Sequence, residues 1–337
     1  MGVLLPALYV GCLGLFFGLV LSIAAKAFHV EVDEKITKII DVLPGANCGA
    51  CGFPGCGGFA QGVVDGSAAT DACIPGGKEC TEKISEIMGT KSKPVKMKNV
   101  ARLLCAGSKA NSTIIAEYSG IQDCKASLFV HGAGKICTAG CVGFGNCANV
   151  CPFSAITMNE NGLPVVDTEL CTGCGICVTE CPRDLLELVP MNKTVYVGCK
   201  STDPGKEVRK YCEIGCIGCK ICEKVCPVEY EVDGEKRKAI KVENNIATID
   251  YEKCISCGKC VEKCPRNVIF SLRDHKSMVA EIDQNKCVKC TICIKNCKFD
   301  AIEGKIKEKH VIIKDNCISC GVCIDKCPKN AIEFIPR

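Results

Sequence analysis

Residues 317–328 read CISCGVCIDKCP, with cysteines at 317, 320, 323 and 327 and proline at 328. The same C-x2-C-x2-C-x3-C spacing starts at Cys171 (CTGCGICVTECP), Cys216 (CIGCKICEKVCP), Cys254 (CISCGKCVEKCP) and Cys287 (CVKCTICIKNCK). A sixth, expanded copy precedes them as Cys137-x3-Cys141-x5-Cys147-x3-Cys151-Pro152. An internal repeat of this kind decides the architecture before any other feature is weighed. Its spacing has a mechanical reason in [4Fe–4S] ligation. Three cysteines on a tight loop hold three corners of one cubane. The fourth opens a helix and reaches the neighbouring cluster, with proline where no N–H is needed. Lys298 stands in that proline place in one copy, which alters the helix start and leaves the ligands intact.

Motifs of this type work in twos, so six motifs make three pairs. Pairing neighbours joins Cys137, Cys141 and Cys147 with Cys181, and Cys171, Cys174 and Cys177 with Cys151. It joins Cys216, Cys219 and Cys222 with Cys264, and Cys254, Cys257 and Cys260 with Cys226. The last pair is Cys287, Cys290 and Cys293 with Cys327, and Cys317, Cys320 and Cys323 with Cys297. Disulfide scaffolds are typically much shorter chains, and a zinc scaffold does not explain the Cys-Pro after the fourth ligand.

The chain holds 34 cysteines in 337 residues, no Trp, and 5% aromatic residues. Large apolar cores are therefore scarce, and metal sites must supply much of the folding free energy. Upstream of the repeat, PGANCGACGFPGCGGFAQG places Cys48, Cys51 and Cys56 on a Gly-rich wrap, with Cys73 following in ACIPGG. Four thiolates satisfy one more cubane, with zinc as the competing reading. Cys12 reads as a small apolar residue and Cys80 as a structural or free thiol. Four cysteines remain: Cys105, Cys124, Cys199 and Cys212, which flank the first motif pair. They either bind an eighth cluster or are buried structural residues.

From Gly2 to Ala25 no residue is charged. Twenty-four helical residues reach about 36 Å, enough to cross a hydrocarbon core of about 30 Å. No basic segment precedes the run, which argues against a signal peptide. Gly14 and Gly18 form a GxxxG within it. Lys26, Lys35 and Lys38 follow the run, and by the positive-inside rule the bulk of the chain is cytoplasmic. The formal charge of +4 counts thiols as neutral. Eight clusters at about −2 each would bring the holoprotein to about −12, and no basic patch suggests nucleic acid.

Ile36, Ile39, Ile40 and Leu43, with Val32, space a short amphipathic helix, and 239–250 and 277–283 read as β-hairpins. The predicted fold class is α+β: one N-terminal transmembrane helix (1–27), a small [4Fe–4S] domain (28–81), a linker (82–98), and three tandem bacterial-type 2[4Fe–4S] ferredoxin modules. These span 99–230 with flanking cysteine segments, 212–275 and 276–337. No strand–GxGxxG–helix unit and no Walker A loop occurs, and His29, His131, His275 and His310 are scattered. No catalytic residue, flavin or NAD site is expected.

The CGACGFPGC wrap with Cys73-Ile-Pro-Gly-Gly, then GCVGFGNCANVCPF (140–153) and CTGCGICVTECPRDLLELVP (171–190), resembles the B subunit of the Rnf complex, the ion-translocating ferredoxin:NAD oxidoreductase. The resemblance covers residues 1 to about 265; the last two motifs look like an extended, polyferredoxin-type version found in anaerobes. It implies a component of a translocase in a prokaryotic cell membrane, single-pass, taking electrons from soluble ferredoxin. Those electrons would pass to other membrane subunits, where Na⁺ or H⁺ moves. The alternative is an anchored polyferredoxin that stores or distributes electrons without pumping.

Overall fold

The computed structural model describes residues 4–27, 33–91 and 97–337. Gly2, His29, Val32 and positions 92–96 of the expected linker lie outside the described residues. The chain divides into two units, Met1–Pro94 and Val95–Arg337.

The first unit carries helices α1 (Leu4–Ala27), α2 (Glu34–Val42), α3 (Gly55–Val64) and α4 (Gly77–Ile87). Along α1 the side chains of Tyr9, Leu15, Phe16 and Leu21 are exposed. Among the described residues no helix is long and apolar enough to cross a membrane, so the expected anchor rests on the sequence. Helix α2 starts where Asp33 accepts a hydrogen bond from the Lys35 N–H (2.8 Å). Its apolar stripe buries Ile36 and Ile39, with Leu43 beyond, while Ile40 stays exposed. These pack with Phe59, Ala60 and Val63 of α3 and with Cys80 and Ile84 of α4. Full burial of Ile39, Phe59 or Ile84 stabilises the unit by about 1.5–3 kcal/mol each. Helix α4 runs on to Ile87, so the expected 82–98 linker starts with a short helix, in which Ile84 and Ser85 are buried. Cys80 and Ile84 lie four apart on one face, and burying that face outweighs the charged composition around it.

The second unit is three α+β modules in a row. The first holds β1 (Asn99–Leu103), α5 (Cys124–Leu128), α6 (Asn146–Asn149), β2 (Ile156–Met158), β3 (Pro164–Val166), α7 (Ile176–Glu180) and β4 (Leu186–Pro190). The second holds β5 (Val195–Val197), α8 (Gly205–Tyr211), α9 (Ile221–Lys224), β6 (Glu229–Val232), β7 (Glu235–Lys238), β8 (Ile240–Glu243), β9 (Ile246–Ile249), α10 (Lys259–Lys263) and β10 (Ile269–Ser271). The third holds β11 (Met278–Ile282), α11 (Ile292–Asn296), β12 (Ile302–Glu303), β13 (Val311–Ile312), α12 (Val322–Asp325) and β14 (Ile332–Pro336).

Each module closes by pairing its first strand with its last, antiparallel: β1 with β4, β5 with β10, β11 with β14. Between them lies a local hairpin: β2–β3, β8–β9 or β12–β13. The 239–250 segment is a hairpin, as its sequence predicts. Asn244 and Asn245 turn it with φ of 47° and 65°, the two positive φ values that a two-residue primed turn requires. The 277–283 segment is not a hairpin. Its strand β11 pairs with β14, with Ile282 opposite Ile332. An extra hairpin, β6–β7, turns at Asp233-Gly234.

In the third module only Asp283–Lys286 separate β11 from Cys287. The first two modules instead insert long segments between their opening strand and first motif. Residues 104–136 carry Cys105 and Cys124; residues 198–215 carry Cys199 and Cys212.

Candidate metal centres

The motif loops repeat one backbone conformation. The residue before the second cysteine is left-handed in Gly173 (φ 75°), Gly218 (64°), Ser256 (50°), Lys289 (58°) and Ser319 (56°). The residue after it is left-handed again: Gly175 (83°), Lys220 (60°), Gly258 (74°), Thr291 (63°) and Gly321 (81°), each the cap of the short helix that follows. This double bend recurs in all five regular motifs, and non-glycine residues hold it at a cost of about 1–2 kcal/mol each.

The hydrogen bonds to sulfur repeat too. The fourth cysteine accepts from the N–H four residues on: Ala155 to Cys151 (3.4 Å), Leu185 to Cys181 (3.4 Å), Ala301 to Cys297 (3.4 Å) and Ala331 to Cys327 (3.3 Å). The first accepts from the N–H two residues on, as Ser256 does for Cys254 and Lys289 for Cys287 (both 3.4 Å). Such donors favour the thiolate, the form that binds metal.

Cys226 lines one hollow with Cys254, Cys257 and Cys260. Cys297 lines another with Cys317, Cys320 and Cys323, and Cys327 a third with Cys287, Cys290 and Cys293. Burial pushes Cys222 up to about 12, and the nearby Cys216, Cys219 and Cys264 add to it. Cys177 is likewise pushed up to about 12 by burial, then by Cys171 and Cys174, with Cys151 further down the order. Each of the three hollows is lined by four cysteines drawn from two neighbouring motifs. The hollow at the expanded motif is lined by Cys124, Cys141, Cys147 and Cys181, and Cys137 is not among its walls.

No group of three or more His, Cys, Asp or Glu closes tightly enough for a single metal ion among the described residues. A tetrahedral zinc with Zn–S of about 2.3 Å would draw sulfurs to about 3.8 Å from one another. A cubane has iron at separate corners and holds its thiolates further apart. Hollow, donor set and N–H···S bonds together fit an iron–sulfur cluster.

In the first unit Cys73 is buried beside Cys80, and the two thiols share a hydrogen bond that holds Cys73 above its usual range. The Cys56 N–H donates to Asn47 Oδ1 (2.8 Å), which fixes the wrap. Cys12 is exposed on α1.

Three residues beside the thiols escape a reading of the sequence. His310 is buried, with Nδ1 3.8 Å from Cys293 Sγ. Buried Lys135 donates to the carbonyls of Gly107 and Cys141, the latter at 2.9 Å. Arg183 donates to the carbonyls of Cys137 (3.2 Å) and Gly140. A lone Lys, Arg or His gives no periodic signal, so only the fold reveals these placements.

Family models agree with this picture. One described as "Putative Fe-S cluster" matches residues 43–75. Models described as "4Fe-4S dicluster domain" match 136–185, 215–269, 253–301 and 280–334. The chain thus carries several 4Fe–4S ferredoxin domains. It is 44% identical over 79% of its length to the B subunit of the Na(+)-translocating ferredoxin:NAD(+) oxidoreductase complex of Acetobacterium woodii, covering 77% of that protein. It is 40% identical to the B subunit of the ion-translocating oxidoreductase complex of Methanosarcina acetivorans over 76% of the chain and 94% of that relative. A third relative, the B subunit of the proton-translocating ferredoxin:NAD(+) oxidoreductase complex of Clostridium ljungdahlii, is 41% identical over 76% of the chain and 88% of its own length. Matches of that depth place the chain in the B-subunit family of ion-translocating ferredoxin:NAD(+) oxidoreductase complexes.

Proposed function

We propose that this chain is the electron-transfer component of a membrane-bound, ion-translocating ferredoxin:NAD oxidoreductase, receiving electrons from reduced soluble ferredoxin and relaying them to membrane partner subunits. The reading rests on three hollows each lined by four motif cysteines, and on backbone N–H donors to the sulfurs of Cys151, Cys181, Cys254, Cys287, Cys297 and Cys327. A bound [4Fe–4S] cluster supplies a one-electron couple whose potential follows hydrogen bonds to sulfur and solvent exposure. The chain's own residues hold that couple in place. Motif thiols ligate, left-handed bends orient them, and N–H groups spread the charge on sulfur. Apolar neighbours such as Ile240, Val268 and Ile269 keep water off.

Cys48, Cys51, Cys56 and Cys73 hold the cluster of the first domain. The uncharged 2–25 segment anchors it in the bilayer, with the bulk of the chain on the cytoplasmic side. Ion movement belongs to the partners, because the 2–25 segment has no ionisable residue other than Tyr9 and Cys12.

Iron and acid-labile sulfide in the anaerobically purified chain test this reading. About 28 iron atoms correspond to seven clusters and about 32 to eight. Zinc in place of iron, or failure of reduced ferredoxin to bleach the visible absorption, sinks it.

A further inference from the structure

The two left-handed marks that flank the second cysteine in the regular motifs also occur in the expanded one, at Gly143 (φ 88°) and Gly145 (φ 78°). Between them stands Phe144. Counting back from Cys151 gives the same register: Cys147 at the third place, Phe144 at the second, Cys141 at the first. The expanded motif is therefore a regular one whose second ligand is missing, and Cys137 lies four residues outside it. Phe144 packs its ring 5.4 Å from that of Tyr118 in the first insertion.

The geometry points to Cys124 as the replacement ligand, alongside Cys141, Cys147 and Cys181. Cys137, freed from that set, closes an eighth cluster site with Cys105, Cys199 and Cys212. Both assignments rest on the cubane reading of the motif thiols.

Several contacts pin Cys124 in the vacant place. Its N–H donates to Asn146 Oδ1 (2.9 Å). The Asn146 amide in turn donates to Asp123 Oδ2 (2.6 Å) and Glu180 Oε1 (3.3 Å). Asn146 is the neighbour of Cys147, so the insertion is tied directly to the motif helix. In the hollow itself, Cys124 stands with Cys141, Cys147 and Cys181.

The second set gathers where the two insertions meet. Ala106 N–H donates to Gly198 O (2.8 Å), Thr113 N–H to Tyr211 O (2.8 Å) and Glu213 N–H to Asn111 O (2.9 Å). A point beside Gly107 lies 3.5 Å from Cys212 Sγ and 3.7 Å from Cys105 Sγ, so both sulfurs border one small space. Cys137 shares a buried cluster with Cys212, and the Ala106–Gly198 bond brings together the residues next to Cys105 and Cys199. The Cys141 N–H donates to Cys105 Sγ (3.3 Å). Lys135 and Arg183 clamp the carbonyls around this space on one side. Arg266 does so on the other, donating to Cys212 O (2.6 Å). Three cations beside four thiols offset the roughly −2 charge of a ligated cubane.

This site also completes the row. It lies where the insertion of the first module meets that of the second, joined by the backbone bonds Ala106–Gly198, Thr113–Tyr211 and Glu213–Asn111.

The test uses the full chain, purified anaerobically, with clusters counted by iron, sulfide and the spectrum of the reduced protein. Cys124→Ala should cost one cluster, about four iron atoms. Adding Phe144→Cys should restore it, because the regular motif is then rebuilt; a structural role for Cys124 gives no rescue and overturns the first assignment. Cys137→Ala/Cys105→Ala should lose one cluster and Cys137→Ala/Cys147→Ala two. Loss of only one in the latter pair returns Cys137 to the expanded motif and overturns the second assignment, as does a wild-type count of about 28 that Cys105→Ala leaves unchanged. A wild-type chain without iron fails the cubane reading itself, a separate outcome.

Discussion

Gly173 precedes the second cysteine of its motif at φ 75°, and a Cβ there would lie 2.4 Å from the Asn99 carbonyl oxygen. Gly234, in the β6–β7 turn, has a similar φ of 79° but open space around it. Alanine at Gly234 meets only the left-handed penalty, about 1 kcal/mol. At Gly173 it must also displace β1, and the cost rises to about 2–4 kcal/mol. Thermal melts of the anaerobic holoprotein should rank the two that way; equal melting points would mean the β1 backbone yields freely. Asn146→Leu removes the shared anchor of Cys124, Asp123 and Glu180. It should destabilise the chain by about 1–3 kcal/mol, because the buried Cys124 N–H loses its acceptor. At this scale the five regular motifs are legible in the sequence, since their ligands sit at fixed offsets. In the expanded motif the letters allow two registers, one counted forward from Cys137 and one counted back from Cys151-Pro152, which puts Phe144 where a second cysteine would stand.

Elements are legible where their partners are local. Asn244-Asn245 announces the β8–β9 hairpin because two adjacent residues must take positive φ, and Asn tolerates that better than most. Strand β11 is recognisable as a strand, but its partner β14 lies far along the chain, with Ile332 opposite Ile282 across the module. Alternation of apolar residues says which face is buried and nothing about which strand lies alongside. That closure has a consequence. Ile332 is buried against Ala280, Ile282 and Cys293, so Ile332→Ala should cost about 2–4 kcal/mol. Amide exchange should then quicken in 278–282 as much as in 332–336. A change confined to the C-terminal strand would show that the module does not open as a unit.

The two units bury different things. The core of the first contains Phe59, Ile39, Ile84 and Val63, a conventional apolar centre beside its thiols. The modules of the second rest on two-stranded sheets, and two-stranded hairpins alone are marginal in water. Their cores mix thiols with aliphatic side chains: Cys216 and Cys222 with Val195 and Ile240 in one, Cys171 and Cys177 with Val100 and Leu186 in another, Cys293 with Ile282 and Ile332 in the third. Metal binding is thus folding free energy there. Stripping iron with a chelator and oxidant, then reducing the thiols, should abolish the β signal and the cooperative melt of the second unit. Helical signal from α2–α4 should survive in part. Charge should follow: a holoprotein at about −12 with eight clusters bound would return to the formal +4 of the thiol form, and electrophoretic mobility at pH 7 would reverse sign. Iron, sulfide and reductant should restore both properties together. A stripped chain that still melts cooperatively in all three modules would show that their strands and apolar residues suffice, and that the clusters are passengers in a fold that stands without them.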